Sequence, residues 1–299
     1  MKISVFTPTF NSTATLRRAY ESLEKQTYKN FEWIIVDDCS TDNGATKNLI
    51  KELTSQASFP CSTFYFNENH FGGKSLEKAS ELAKGEVIGT LDQDDLLTSN
   101  CLENVVKYAK LYFRDSAVAC IAGRCIDQNG NFIGNKFKKK ISVHYNGYVR
   151  YREGITSELI VFSKTSVIRD YSKFMKKGFT YGLLWAKISE HYKTVYVNDV
   201  LRIYNMNNPD SYTNDGKLNL RFPKEKVEMN MMVFHSYRKY LIYRPLLTFR
   251  QMVHTQFLRK KYNIENHLSK SKLLNIVFNL TYIFGLTKYY IDKLNYRNK

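Results

Sequence analysis

The chain begins with a short apolar run, Ile3–Thr7, closed by Pro8 and the polar pair Asn11–Ser12. From Thr15 the apolar positions Leu16, Ala19, Tyr20 and Leu23 recur at the spacing of one helix face. Phe31–Val36 (FEWIIV) is an apolar run broken by the acidic turn Asp37–Asp42. Such a run fits a parallel strand covered on both faces. The same reading predicts a helix over Thr46–Leu53, a strand over Ser62–Phe66 and a helix over Ser75–Lys84. A strand over Val87–Leu91 and a helix over Cys101–Tyr112 follow. Strand and helix thus alternate through the first 115 residues, which predicts βαβ units and a parallel sheet.

Beyond that point the pattern is mixed. Val118–Cys125 and Phe132–Phe137 read as strands around the turn Asn129–Gly130, Thr180–Tyr192 as a helix and Val195–Tyr204 as a strand. Asn205–Gly216 (NMNNPDSYTNDG) has the composition of a polar loop and is predicted to form a flap. The rest is helical and basic. The expected organisation is an α/β unit over 1–215 and a helical region over 216–299.

Composition narrows the class. Of 299 residues, 43% are hydrophobic and 14% aromatic, enough to bury a substantial core. No stretch reaches the 18 or more apolar residues of a membrane span; Leu273–Leu286 comes nearest and carries two Asn and a Thr. MKISVFTPTFN reaches a polar turn too soon for a secretory signal. Five cysteines without a CxxC pair or zinc spacing predict reduced thiols in a cytoplasmic protein.

The net charge of +17 is unevenly divided. Residues 1–100 hold 10 Lys+Arg and 14 Asp+Glu, a net of −4, which leaves 35 and 14, a net of +21, for the remainder. That division suits a metal-dependent site coupled to an anionic partner. Residues 245–299 hold 10 Lys+Arg and 2 Asp+Glu among Phe249, Met252, Phe257, Leu258, Leu273, Ile276, Val277, Leu280, Tyr282, Ile283 and Phe284. Two readings stand for this part: amphipathic helices on an anionic bilayer surface, or an apolar stripe packed on the catalytic unit. Nucleic acid is not the expected partner, since no RRM, KH or helix-turn-helix pattern accompanies the charge.

In an open parallel sheet, ligands bind beyond the carboxyl ends of the strands. Three polar or acidic turns follow predicted strands directly: Thr7-Pro8-Thr9-Phe10-Asn11, Asp37-Asp38-Cys39-Ser40-Thr41-Asp42 and Asp92-Gln93-Asp94-Asp95. Single aspartates at such places serve as caps and turn formers. Three carboxylates within four positions repel one another unless a cation relieves them, and hard oxygen ligands suit Mg²⁺ or Mn²⁺. No GxxxxGK[ST] or GxGxxG segment is present.

TPTFN at 7–11, QTYKNFEWIIVDDCSTD at 26–42 and AKGEVIGTLDQDD at 83–95, in that order and spacing, resemble the family 2 glycosyltransferases. WAKISEHYKTVYVNDVLRIY (185–204) is similar to the matching part of capsule and exopolysaccharide transferases. The resemblance implies the GT-A fold: an α/β nucleotide-binding unit with a mostly parallel central sheet flanked by helices, here with a C-terminal helical extension. It implies an inverting, metal-dependent hexosyltransferase. Such an enzyme moves a sugar from a UDP-sugar to a glycan acceptor, often lipid-linked, at the cytoplasmic face of the membrane. Pro8 and Thr9 are then expected against the nucleobase and ribose, with Phe10 beneath, and Asp38 accepting from the base. Asp92 is expected to contact the ribose or order the loop, and Asp94 and Asp95 to hold the cation.

Two positions depart from the family pattern. Leu76 and Glu77 fall where an Arg-Asn pair is usual, and Gly72-Gly73-Lys74 lies just upstream, so Lys74 becomes the candidate cation for the diphosphate. Tyr181 stands where the catalytic carboxylate is expected, and an ordinary phenol, with a pKa near ~10, is a poor base at neutral pH. Glu158, Asp170 and Glu190 are the replacement candidates. The competing reading is a catalytically weak or inactive subunit that binds nucleotide or a partner. A nucleotidyltransferase would need a glycine-rich loop that TPTFN does not supply.

Overall fold

The computed structural model describes residues 1–206, 221–264 and 272–297, the last segment without the side chains of Leu273 and residues 290–297. The expected flap at Asn205–Gly216 lies outside the described residues from position 207 onward.

The first half alternates as predicted: β1 (Ile3–Thr9), α1 (Leu16–Glu24), β2 (Phe31–Asp37), α2 (Ala45–Gln56), β3 (Cys61–Tyr65), α3 (Ser75–Leu82) and β4 (Val87–Thr90). A two-residue strand, β5 (Leu96–Leu97), leads into α4 (Cys101–Tyr112). Then come β6 (Val118–Ile126), β7 (Ile141–His144), a π-helical turn at Tyr148–Glu153, β8 (Leu159–Lys164), α5 (Thr165–Tyr171), α6 (Tyr181–Ile188) and β9 (Lys193–Ile203). The described C-terminal helices are α7 (Pro223–Tyr237), α8 (Pro245–Lys261), α9 (Lys272–Leu280) and α10 (Tyr282–Arg297).

One sheet runs in the order β3-β2-β1-β4-β8-β6-β9-β5, with β7 added to β9. The β3-β2-β1-β4 half is parallel; β8 then joins β4 and β6 in antiparallel fashion, and β6 and β9 are parallel. Successive strand residues feed opposite faces. Ile3, Val5, Trp33 and Ile35 pack with α1 and α4, while Phe6, Ile34 and Val36 pack with α3, α5 and α6. Every residue of β2 is buried, which is why the run carries so little alternation.

The buried charge within Phe31–Val36 is Glu32, 2% exposed. Its carboxylate accepts from Ser4 Oγ (2.7 Å), the Lys84 amide (2.6 Å), the Gly85 amide (3.2 Å) and Lys2 Nζ (3.0 Å). A Cβ at Gly85 would lie 2.6 Å from the Ser4 amide nitrogen, so only glycine lets the turn before β4 close on β1.

The strand expected at Phe132–Phe137 does not form; only a single bridge joins Phe132 to Ile126. The Asn198 side chain replaces a strand partner, accepting from the Phe137 amide (3.1 Å) and donating to its carbonyl (3.1 Å). The strand beside β9 is instead β7, four residues further on.

The C-terminal helices share cores with the α/β unit. Met229 of α7 joins the cluster of Phe6, Ile34 and α6, and Met231, Phe234, Met252 and Phe278 close over Ala186 and Tyr151. Of the apolar stripe, Met252, Phe257 and Leu258 are buried. Phe249, Ile276, Val277, Leu280, Tyr282, Ile283 and Phe284 are exposed, and the Phe249 and Phe284 rings meet at 5.1 Å. Among the described residues no helix is long and apolar enough to cross a membrane.

Candidate active site

The three turns picked out by sequence converge at the carboxyl edge of β1, β2 and β4. The Asp38 amide donates to the Thr9 carbonyl (2.8 Å), and Thr9 Oγ1 donates to Asp37 Oδ1 (2.9 Å). Asp37 also receives the Ser40 amide (2.9 Å) and hydroxyl (2.6 Å). Gln93 Oε1 accepts the Phe10 amide at 2.8 Å, which ties the third turn to the first. Pro8 is half-buried, Thr9 is turned inward, and Phe10 is 39% exposed at the rim.

Asp38 is 4% exposed, and its two oxygens accept the amides of His70 (2.8 Å) and Gly72 (2.7 Å). It therefore pins the loop before α3 against the end of β2. The glycines of that loop allow a close approach, but to the chain itself: a Cβ on Gly73 would lie 2.4 Å from the Lys176 carbonyl group. Lys74 follows and pairs with Glu77 at 2.7 Å.

The Asp92–Asp95 turn is organised from behind by Arg202 of β9, which is 4% exposed. Its guanidinium lies 3.2 Å from Asp95, 3.5 Å from Asp92 and 2.8 Å from Glu158. Asp95 is 1% exposed and also accepts the Asn205 amide (2.8 Å), so it faces the interior as the counter-ion of Arg202. Burial pushes Asp95 up from the usual carboxylate range, against the pull of Arg202. Asp92 is pushed up to about 6 by burial and by the nearby charges of Asp94 and Glu158, again opposed by Arg202.

Asp92, 41% exposed, and Asp94 are the partly exposed carboxylates of the turn, and both offer hard oxygen donors. No group of three or more His, Cys, Asp or Glu among the described residues forms a metal cage. Mg²⁺ needs none, since it is commonly held by one or two carboxylates together with substrate phosphates and water. Asp94 and Glu158 add like-charge repulsion to the effect of burial on Asp92, and a dication would relieve that repulsion, so the residues fit such an ion.

Behind Asp92 lies a cavity of about 200 Å³ between the β6–β8–β9 face, α6 and the π-helical turn. Tyr181 lines it, and burial together with the charges of Asp92 and Asp38 pushes its phenol further up, away from service as a base. Glu158 lines it too. Asp170 is 73% exposed near Lys173, and Glu190 is tied to Lys187 (2.8 Å) and Ser236 (2.5 Å) at the far end of α6. Of the three replacement carboxylates, the fold brings only Glu158 to Asp92.

Sequence reading missed Arg202, Gln93 and Arg150, the last of which also lines the cavity. Arg202 had a signal: a lone Arg in the apolar alternation of Val200–Ile203 needs a buried partner.

A parallel half-sheet with acidic turns at its carboxyl edge and a polar cavity beside them is the architecture of the GT-A fold. The profile described as Glycosyl transferase family 2 matches residues 4–175, and the chain belongs to that family; it is a glycosyltransferase. It is 28% identical to the GalNAc(5)-diNAcBac-PP-undecaprenol beta-1,3-glucosyltransferase of Campylobacter jejuni, over 71% of this chain and 67% of that protein. It is 37% identical to the poly(ribitol-phosphate) beta-N-acetylglucosaminyltransferase TarP of Staphylococcus aureus, over 36% of this chain and 33% of that one. The match thus spans about a third of TarP. In fold, the chain superposes on S. aureus TarS residues 1–349 in complex with UDP-GlcNAc with a TM-score of 0.70, at 16% identity, covering 100% of this chain and 92% of that one. A mannosyltransferase from Pyrobaculum calidifontis in complex with GDP-Man and Mn²⁺ gives 0.58 at 16% identity, covering 97% and 87%.

Proposed function

We propose that this glycosyltransferase moves a hexosyl group from a UDP-sugar to a lipid-linked glycan acceptor, with inversion, in surface-polysaccharide assembly. The observation that carries the reading is the convergence of Asp38, Asp92 and Asp94 beside a sugar-sized cavity that also holds Glu158. The polyprenyl-diphosphate acceptor in the name of the Campylobacter relative and the UDP-GlcNAc in the TarS complex support the acceptor and donor classes.

Pro8, Thr9, Phe10 and Asp38 frame the nucleoside, and Lys74 stands near the loop that Asp38 holds. Asp94 and Asp92, the latter expected from sequence to contact the ribose or order the loop, would hold Mn²⁺ or Mg²⁺, an ion that would supply Lewis-acid neutralisation of the diphosphate charge. Asp95, which sequence placed on the cation, instead sets the turn through Arg202. Glu158 takes the proton of the acceptor hydroxyl. That oxygen bonds to the anomeric carbon as the carbon–oxygen bond to the β-phosphate breaks, its electron pair leaving with UDP.

The exposed apolar face of α8–α10, in the basic part of the chain, supports a peripheral position on the anionic inner face of the cell membrane, where such an acceptor would be embedded. Tyr181 at the usual carboxylate position favours a second reading, a nucleotide-binding subunit without turnover. Release of UDP from UDP-sugars with Mn²⁺ and membrane acceptor separates the two. Wild type is expected to turn over, and Asp94→Asn to lose activity while keeping its circular dichroism spectrum. Full activity in that variant would remove the cation assignment.

A further inference from the structure

We propose that the cavity behind Asp92 recognises an anionic group, a carboxylate or phosphate, on the saccharide that enters it, and that Arg150 is the residue that reads it. This rests on the transferase reading above and names the class of substrate.

The cavity is electrically polarised. At one end Asp92 and Glu158 stand against Arg202, whose charge is consumed by them and by Asp95. At the other end stands Arg150, carried by the π-helical turn, a rare element that is frequent at functional sites. Among the described residues no carboxylate lies within ion-pair distance of Arg150, and its guanidinium makes no hydrogen bond. The titratable groups that feel its charge are Tyr151, Tyr196 and Tyr237. Burial pushes all three phenols up, so none is a counter-ion at neutral pH.

Asn146, a polar side chain lining the same cavity, is already engaged. Its amide nitrogen donates to Tyr196 Oη (3.1 Å), and its oxygen accepts from Tyr237 Oη (2.6 Å). The neutral groups thus satisfy one another and leave the guanidinium to the cavity. A half-buried cation facing a low-dielectric space without an anion is costly, and the cost is recovered when the ligand supplies one. The planar fork of N–H donors matches a carboxylate or phosphate in two-point fashion, whereas sugar hydroxyls make no use of its charge.

The anion can belong to the donor sugar or to the acceptor, and titration calorimetry with Mn²⁺ distinguishes them. The donor pair is UDP-glucuronate against UDP-glucose; the acceptor pair, run with and without UDP, is glucose 6-phosphate against glucose. In wild type one anionic probe is expected to bind at least ~10-fold tighter than its neutral counterpart. Arg150→Met should erase that preference and Arg150→Lys keep part of it, with UDP affinity unchanged in both. Equal binding within each pair, or a preference that survives Arg150→Met, overturns the proposal. Failure of UDP itself to bind wild type would instead count against the donor-site reading, and the acceptor pair without nucleotide still decides the anion site.

Discussion

The guanidinium of Arg202 lies 3.2 Å from the carboxylate of Asp95, and both side chains are almost completely buried. This pair joins β9 to the turn after β4 that carries Asp92 and Asp94. Its polar links extend further: Arg202 Nε lies 3.2 Å from Cys125 Sγ, and Glu158 at the entry to β8 completes the set. A charge buried in this way stabilises only as part of its pair, because removing one partner strands the other. Arg202→Met is therefore expected to cost about 3–5 kcal/mol, read from urea unfolding at neutral pH. A cost below about 1 kcal/mol would mean that Asp95 is not held as an anion.

Glu158 and Tyr181 line the same cavity, and their substitution should separate base from bystander. Glu158→Gln keeps the shape and removes the proton acceptor. Turnover should fall about 10²–10⁴-fold, the usual worth of a positioned acid or base, with UDP affinity within about twofold of wild type. Tyr181→Phe should keep most of the activity. The reverse pattern in steady-state UDP release would transfer the role to Tyr181.

Glu32 gives a pH dependence of stability. Burial works against its charge, yet hydrogen bonds from Ser4, the Lys84 amide and Lys2 hold its carboxyl below the ordinary range. The folded pKa is thus lower than the unfolded one. Its stabilisation is present above about pH 4.3 and is lost as pH falls through the depressed folded value. Glu32→Gln should lower stability by about 1–3 kcal/mol at pH 7, and the gap to wild type should narrow below about pH 4. Chemical unfolding at pH 7 and pH 3.5 checks both; an unchanged gap would show that the charge is not what the site uses.

Ile283 and Phe284 are 69% and 53% exposed beside Phe249, so replacing both with Glu should leave the unfolding temperature nearly unchanged. Sedimentation with phosphatidylglycerol vesicles should fall several-fold in the double variant and weaken with added salt in wild type. Equal sedimentation of the two proteins would remove this face from membrane contact.

Much of the first half was legible in the sequence. The runs Ile3–Thr7, Phe31–Val36 and Val87–Leu91 lie within or across β1, β2 and β4, and the turns after them meet at one edge. Parallel strands covered on both faces are apolar throughout, and the residues that end them stand out as polar turns. The segment 117–205 was harder. At Phe132–Phe137 the local pattern reads as a strand, but Asn198, some 60 residues away in the chain, takes the backbone groups that a neighbouring strand would have taken. β7 and β8 went unread because their partners in the sheet are distant in sequence.

By itself, then, the sequence determined the order of strands and helices in its first 115 residues, the acidic edge and the family, because these rest on local periodicity and on turn residues next to their strands. Tertiary structure decided which carboxylates face outward. Asp95 and Asp92 are near neighbours in the chain and both lie close to Arg202 of β9, but only Asp95, which also accepts the Asn205 amide, is buried. The same holds for Glu158 over Asp170 and Glu190, and for Arg150 in the cavity. Burial and charge pairing are properties of neighbours in space, and residue spacing along a strand does not encode which distant side chain will come within 3.2 Å.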